Sequence, residues 1–378
     1  MKVNIEDYRR VARRRLPRIF FDYLDGGASR ETTMAANLAA FQNVPLTPRV
    51  LVDVSQRNLE TQVAGADSTL PVMLGPVGFL GMLRLGGERA AFRAAARAGI
   101  AACLSSFSVD RLEDVFAQGA SGAFQLYVLK DRERTLAILE RARNSGIGTV
   151  FVTVDTSVAG RRERDLRNGF RLLSRPNLKL LADFACHPFW LADMARNPRP
   201  QLSVMEGVAA AGGNILSQAT FLASQIDSSF DLEGFAWLRR QWAGRLIVKG
   251  IMCPGDARRA VDAGADGIVV SNHGGRQLDG AAASLDALPV IAAAVGGHTE
   301  VLFDGGIRSG EDVLKALALG ADVCLLGRAY AYGLAAKGEA GVTGVLDIIR
   351  AQMDIAMALI GCRSIAEVKT LGRAALGG

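Results

Sequence analysis

Eight short apolar runs closed by glycine or turn residues, amphipathic stretches between them, and a chain long enough to complete the ring predict an α/β fold, the TIM (β/α)8 barrel. The runs fall at 70–77 (LPVMLGPV), 100–106, 122–128, 149–155, 245–251, 267–272, 300–306 and 322–328. Most are joined by stretches such as Glu88 to Gly99 and Arg132 to Gly146, which end in glycine as helix C-termini often do. An open doubly wound sheet seldom repeats this regularly, so the expectation is a closed parallel barrel within a single domain. Residues 70–155 and 245–335 would build it, with an N-terminal helical cap over 1–69 and C-terminal helices over 336–378. Residues 156–244 form a long excursion after strand 4. It exceeds what a barrel connection needs, and long insertions at that face tend to be functional.

The chain has 378 residues, 49% of them hydrophobic, which is enough to bury a large core. Its formal charge of +6 comes mostly from scattered arginines, with one dense run at Arg13, Arg14, Arg15 and Arg18. Such a run is usually a solvated helix face; an anionic substrate or a membrane surface is the sharper reading. No nucleic-acid-binding motif accompanies it. The five cysteines are widely spaced and odd in number, without a CxxC or a Cys/His cluster, so neither a disulfide framework nor a metal site is indicated, and a reducing compartment is expected. The stretch MKVNIEDY has no apolar h-region and no run of 18 uncharged apolar residues occurs later, so neither a secretory leader nor a membrane span is expected. The expected location is the cytoplasm.

In a barrel of this kind, reactive side chains come from the C-terminal ends of several strands. Here those ends carry Val77 and Gly78, Ser105, Gln125 and Tyr127, Thr153 and Asp155, Lys249, then Ser271 and His273. The segment GIVVSNHGGRQLDG places His273 and Arg276 just beyond a buried strand, pairing a base that titrates near neutrality with an anion clamp. Alone, His273 reads as a structural histidine; its neighbours change that reading. The loops after strands seven and eight hold DGGIRSG and Gly327-Arg328. A glycine turn feeding the helix from Glu311 to Gly320, with Arg308 and Arg328 beside it, suits a phosphate. Lys249 is open to three readings: a Schiff-base lysine, a solvent-facing end residue, or a cation beside a cofactor that becomes negative.

SNHGGRQLDG, DGGIRSGEDVLKALALGAD with LLGR, FQLYV and TVDT resemble the FMN-dependent L-2-hydroxy acid oxidase and dehydrogenase family over nearly the whole chain. The resemblance implies FMN contacted by Val77, Gly78, Ser105, Gln125, Thr153, Lys249 and Ser271, by Asp304 at the ribityl chain, and by Gly306, Arg308, Gly327 and Arg328 at the phosphate. It implies a substrate carboxylate held by Arg276 with Tyr23 and Arg162. His273 would be the base, Asp155 its partner, and Tyr127 the hydrogen-bonding partner of the substrate hydroxyl. Phe107 would lie over the substrate side chain. The physical case agrees: an arginine fixes the anion while a base and a flavin act on opposite sides of one carbon.

Glycine at position 78, where oxidases of the glycolate type carry alanine, favours a dehydrogenase over an oxidase that makes hydrogen peroxide. VAGRRERDLRNGF and HPFWLADM resemble the mandelate dehydrogenase branch, whose excursion anchors the enzyme at a membrane. That implies peripheral contact with the inner face of the cell membrane through 176–215 and a quinone as electron acceptor; the bland reading of the apolar segment is a lid packed on the barrel mouth. S-mandelate or a similar aromatic acid is the expected substrate, L-lactate the next. A homotetramer is implied by resemblance alone. An FMN barrel isomerase is the rival of another class, and it has no use for His273, Arg276 and Asp155 together.

Overall fold

The computed structural model describes residues 2–117, 122–170, 178–197, 200–206 and 214–376. Eight parallel strands close into the expected barrel. They are β1 (Val72–Leu74), β2 (Ala102–Ser105), β3 (Gly122–Leu126), β4 (Thr149–Thr153), β5 (Arg245–Ile251), β6 (Gly267–Val270), β7 (Glu300–Asp304) and β8 (Val323–Leu326). Pairing of Leu326 with Leu74 joins the last strand to the first. Each lies within the apolar run expected for it. Several runs overshoot the ladder at their C-terminal ends, where Val77, Tyr127, Asp155 and Gly306 leave the sheet and become the rim.

The period-2 alternation of a strand sorts the core into two layers. Val150 and Val152 of β4 point outward to the helices, while Phe151 points inward with Met73, Cys103, Ala123, Ile247, Val269 and Leu302. This inner layer is the floor under the cavity at the C-terminal rim. A hairpin not anticipated within the cap, Thr61–Val63 paired with Ala66–Ser68, covers the other end. Val63 joins the inner layer and the Ala64 N–H donates to Glu300 at the start of β7.

The cap itself is three helices, α1 (Ile5–Arg15), α2 (Arg18–Asp25) and α3 (Thr32–Gln42). Asn4 caps α1 by accepting from the Asp7 N–H, acids occupy its first turn and Arg13, Arg14 and Arg15 its last, the arrangement the helix dipole favours. The basic run is therefore a helix C-terminus: Arg13 and Arg14 are exposed, and Arg15 pairs with Asp193 at 3.1 Å. Helix α3 packs on the turn His273–Gly275.

The described part of the excursion holds the helices Glu163–Arg167, Leu178–Ala185, Pro188–Ala195, Ile215–Gln225 and Leu232–Gln241. The lid reading of the apolar segment is corrected. Leu178–Ala185 and Pro188–Ala195 sit against the cap, with the Trp190 ring 5.1 Å from Phe20 and its indole N–H donating to the Met82 carbonyl. None of their residues lines the cavity; Ile215–Gln225 covers the mouth instead. Amphipathic composition cannot tell which apolar surface a helix will choose. Residues 176–177, 198–199 and 207–213 of the expected membrane stretch lie outside the described residues.

Because Phe151 is fully buried in the barrel floor, Phe151→Ala is expected to lower unfolding stability by about 3–5 kcal/mol, read as a shifted denaturant midpoint with unchanged slope.

Candidate active site

Strand register brings the polar ends together. Ser105 pairs with Gln125 and Thr153 with Lys249 across neighbouring ladders. Between Lys249 and Ile251 the β5–β6 register slips at Gly250, whose φ is +113°. A Cβ there would lie 2.7 Å from Asp155 Cβ and Cγ. Glycine at this bulge is what lets Asp155, beyond β4, reach past β5 to His273, beyond β6.

His273 Nδ1 lies 2.9 Å from Asp155 Oδ1. The ring is presented by a turn in which His273, Gly274 and Gly275 all have positive φ, at 58°, 63° and 72°. For a non-glycine residue that backbone is strained and must be held by its surroundings. Asn272 accepts from the Gly275 N–H and exchanges two 2.8 Å amide hydrogen bonds with Asn37 of α3. Ser271 Oγ accepts from the His273 N–H at 3.0 Å. Gln277 donates to the carbonyls of Asp155 and Val158, tying the base's turn to the loop that carries its partner. Asp279 caps α3 by accepting from the Thr33 N–H and the Thr32 hydroxyl.

Burial lowers the proton affinity of His273; Asp155 opposes this, but Lys249 and Arg162 add to it, and the net pKa lies below the ordinary 6.5. Asp155 by itself would raise it, and desolvation with two cations outweighs that effect. Burial also works against ionisation of Asp155, yet His273 and Lys249 hold its pKa below the usual carboxylate value. Both directions describe one state near neutrality: a neutral imidazole donating Nδ1–H to an ionised carboxylate, with Nε2 free to accept a proton.

Arg276 Nη1 donates to the carbonyls of Tyr23 and Gly26, and its guanidinium carbon lies 4.9 Å from the Tyr23 ring centroid. One side of the guanidinium is thereby fixed and the other is left for an anion. Arg162 shares this wall, its pKa brought down to about 10 by burial and by the charge of Arg276. Two cations crowded together in a buried wall create a strong preference for a negative ligand. Phe107 meets Tyr127 edge to face at 5.6 Å and forms the apolar side of the same space.

The cavity measures about 740 Å³ and takes in 17 of the 19 expected site residues. Asp155 stands behind His273, outside the wall. Ser271, expected at the cofactor, is a correction: it is fully buried, accepts from Lys249 Nζ and the His273 N–H, and donates to Asp304, which saturates its hydroxyl. It supports the wall from behind. Lys249 lies 3.1 Å from Asp304 Oδ2, and Asp304 with Asp155 raises its pKa despite burial, so the ammonium persists. A neutral Schiff-base lysine is not what this environment favours.

The phosphate reading also changes in detail. The helix following the glycine turn, Gly310–Ala318, already has its early amides taken: Asp312 accepts from the N–H groups of Arg308 and Ser309, Ser309 caps Asp312, and the Gly310 N–H donates to Gln352. By contrast, the helix Arg328–Lys337 has no side-chain cap at Gly327, where an added Cβ would meet nothing within 4 Å. Its start and the loop Gly305–Ile307 line the cavity. The Arg328 guanidinium donates from Nε to the Leu24 carbonyl, from Nη2 to that of Gly26 and from Nη1 to that of Gly274, fixing the charge beside that opening. Deeper in, Gln125 Nε2 and Thr153 Oγ1 are buried without partners. Unmet donors near a fixed ammonium, with an open anion cradle at the rim, fit FMN.

Asn37, Asn272, Gly250, Gln277 and Phe170 were not singled out in the sequence. Asn272 and Gln277 flank the chosen residues of SNHGGRQLDG, so the motif carried the signal. Asn37 sits in an alanine-rich helix with no local cue.

Comparison with known proteins places this geometry. The sequence profile of a family described as FMN-dependent dehydrogenase matches residues 12–373. The chain is 47% identical over 368 residues to an L-lactate dehydrogenase of Caulobacter vibrioides (strain NA1000 / CB15N), covering 96% of this chain and 95% of the relative. An L-lactate dehydrogenase of Azorhizobium caulinodans is 46% identical over 364 residues, covering 96% of each. Among solved structures, the monotopic membrane protein (S)-mandelate dehydrogenase superposes with a TM-score of 0.94 at 41% identity over 99% of both chains. A mandelate oxidase with (S)-4-hydroxymandelic acid gives 0.86 at 38% identity, covering 97% of this chain and 98% of that one.

Asp155 raises the proton affinity of its partner, so Asp155→Asn is expected to lower the His273 pKa further. Imidazole NMR titration reads this directly; an unchanged or higher value would show that the two residues are not coupled.

Proposed function

This chain belongs to the FMN-dependent dehydrogenase family, and on that premise we propose that it oxidises an L-2-hydroxy acid to the 2-oxo acid. The observation that carries the reading is His273, hydrogen-bonded to Asp155 at 2.9 Å, in one cavity with Arg276 and Arg162. An isomerase of the same fold has no use for that set.

The open side of the Arg276 guanidinium, with Arg162 and the Tyr23 hydroxyl, binds the carboxylate and fixes the 2-carbon in the cavity. Tyr127, whose pKa burial and the nearby Asp155 raise, stays protonated at the substrate hydroxyl. His273 Nε2 takes the proton, and Asp155 stabilises the imidazolium through Nδ1–H. FMN, when bound, supplies the two-electron acceptor chemistry. Gln125, Thr153 and the Lys249 ammonium would hold its ring system, and Gly306, Arg308, Gly327 and Arg328 its phosphate. Phe107 and helix Ile215–Gln225 give an apolar space next to the carboxylate wall, which supports a substrate with an aromatic side chain, S-mandelate before L-lactate.

We propose further that electrons pass to a quinone and that the enzyme sits peripherally on a membrane. Among the described residues no helix is long and apolar enough to cross one. Leu178, Leu181, Phe189 and Leu191 are instead exposed on the two outer helices, with Lys179 exposed beside them and Arg15 over the Phe189 ring. Apolar side chains flanked by cations suit the interface of an anionic bilayer. A homotetramer, implied by resemblance, goes with this proposal.

His273→Gln is expected to keep FMN but lose turnover by about 10²-fold or more. In the wild type, kcat/KM should fall on acidification with a midpoint below 6.5 and stay level above it, because only the neutral imidazole accepts the proton. Anaerobic bleaching of the flavin absorbance by S-mandelate and by L-lactate, then reoxidation by air or by a quinone analogue, ranks the substrates and separates dehydrogenase from oxidase; no bleaching by any 2-hydroxy acid overturns the reading. Cosedimentation with anionic vesicles, lost in Phe189→Asp, checks the membrane face.

A further inference from the structure

Resting on the functional reading above, we infer that Phe170 is a positioning residue for substrate binding: it holds the Tyr23 ring so that its hydroxyl stands beside Arg276 and Arg162. The two rings are stacked nearly parallel, with centroids 4.8 Å apart and an interplanar angle of 4°. Phe79 meets both edge-on, Tyr23 at 5.2 Å and 85° and Phe170 at 5.9 Å and 89°. Phe20, one turn before Tyr23 on α2, meets Phe170 at 6.4 Å and 78°. Phe170 thus touches three rings from two separate segments of the chain, and it is itself nearly buried.

Its own position is set locally. Gly169 adopts φ +70°, and the Phe170 N–H donates to the Asp165 carbonyl at 2.9 Å, turning the chain back after helix Glu163–Arg167. Arg164 in that helix is tied to Asp25 and Glu31. The segment RRERDLRNGF therefore delivers two things to one wall: the Arg162 cation, and the ring that packs Tyr23. Tyr23 needs such support. Its backbone carbonyl accepts from Arg276, but its side chain can rotate about χ1 unless neighbours fill the space around the ring. Stacked and edge-to-face aromatic contacts supply orientation as well as burial.

The hydroxyl of Tyr23 contacts the carboxylate before and after reaction, so loosening it weakens binding without altering the chemical step. In anaerobic rapid mixing, Phe170→Leu is expected to raise the substrate dissociation constant about fivefold, with the limiting rate of flavin bleaching within about twofold of wild type. Phe170→Tyr, which keeps the ring, should behave as wild type. In a Tyr23→Phe background, Phe170→Leu should add nothing further, because the hydroxyl it serves is gone. FMN content and thermal unfolding report whether each variant folds; Phe170→Met, similar in volume but without a ring, replaces the leucine variant if that one does not. An unchanged dissociation constant in Phe170→Leu, or the full fivefold effect persisting in the Tyr23→Phe background, overturns the inference while leaving the functional reading intact. A wild type that no 2-hydroxy acid bleaches overturns both.

Discussion

The hydrogen bond between His273 and Asp155 spans two strands that are not neighbours, and the site is arranged around making it possible. β5 lies between them, and only a glycine at its bulge leaves room for the Asp155 side chain to cross. On the other side, His273 occupies a left-handed conformation that its own sequence does not favour, held by Asn272, Ser271 and, through Asn37, the N-terminal cap. The cap is thus more than a cover. It supplies the partner that keeps the base's turn closed, and its carbonyls at Tyr23, Leu24 and Gly26 are the acceptors that fix Arg276 and Arg328.

Electrostatics at the rim follows one pattern. Three of its cations are immobilised before any ligand arrives, Arg276 and Arg328 by backbone carbonyls and Lys249 by Asp304 with Ser271. Groups ordered in advance lose little entropy on binding and need not reorganise as charge develops. Burial first, and then Lys249 and Arg162, depress the proton affinity of His273 against the pull of Asp155, so two of the cations that favour an anionic substrate also help keep the base in the form able to accept a proton. The chain's overall charge of +6 conveyed none of this, because the scattered surface arginines dominate the sum.

The long excursion divides its work. Residues from Thr156 to Phe170 and the helix Ile215–Gln225 line the cavity, whereas Leu178–Ala185 and Pro188–Ala195 face outward from the cap. Trp190 and Phe20 join the outer part to the inner one through ring contacts that continue to Phe170 and Tyr23. Binding chemistry and outer surface are therefore built from one insertion and joined by one chain of ring contacts.

By itself the sequence determined the barrel, because eight apolar runs separated by amphipathic helices leave few other ways to bury so much surface. It also determined most of the cavity wall, since in a parallel barrel the residues just past each strand must gather at one rim. What it could not determine was anything set by contacts between distant segments. Ser271 and Asp304 both stand at strand C-terminal ends, yet only packing decided that Ser271 would be saturated behind the wall and Asp304 would face the cavity. Which helix N-terminus kept its amides open depended on Asp312 and Gln352 occupying those of the other. The apolar stretch near Trp190 could be read as a lid or as a membrane face, and only the tertiary structure seated it on the cap. The reason is the same in each case: period and composition report how much of a segment is buried, while the choice of partner rests on geometry that no single segment contains.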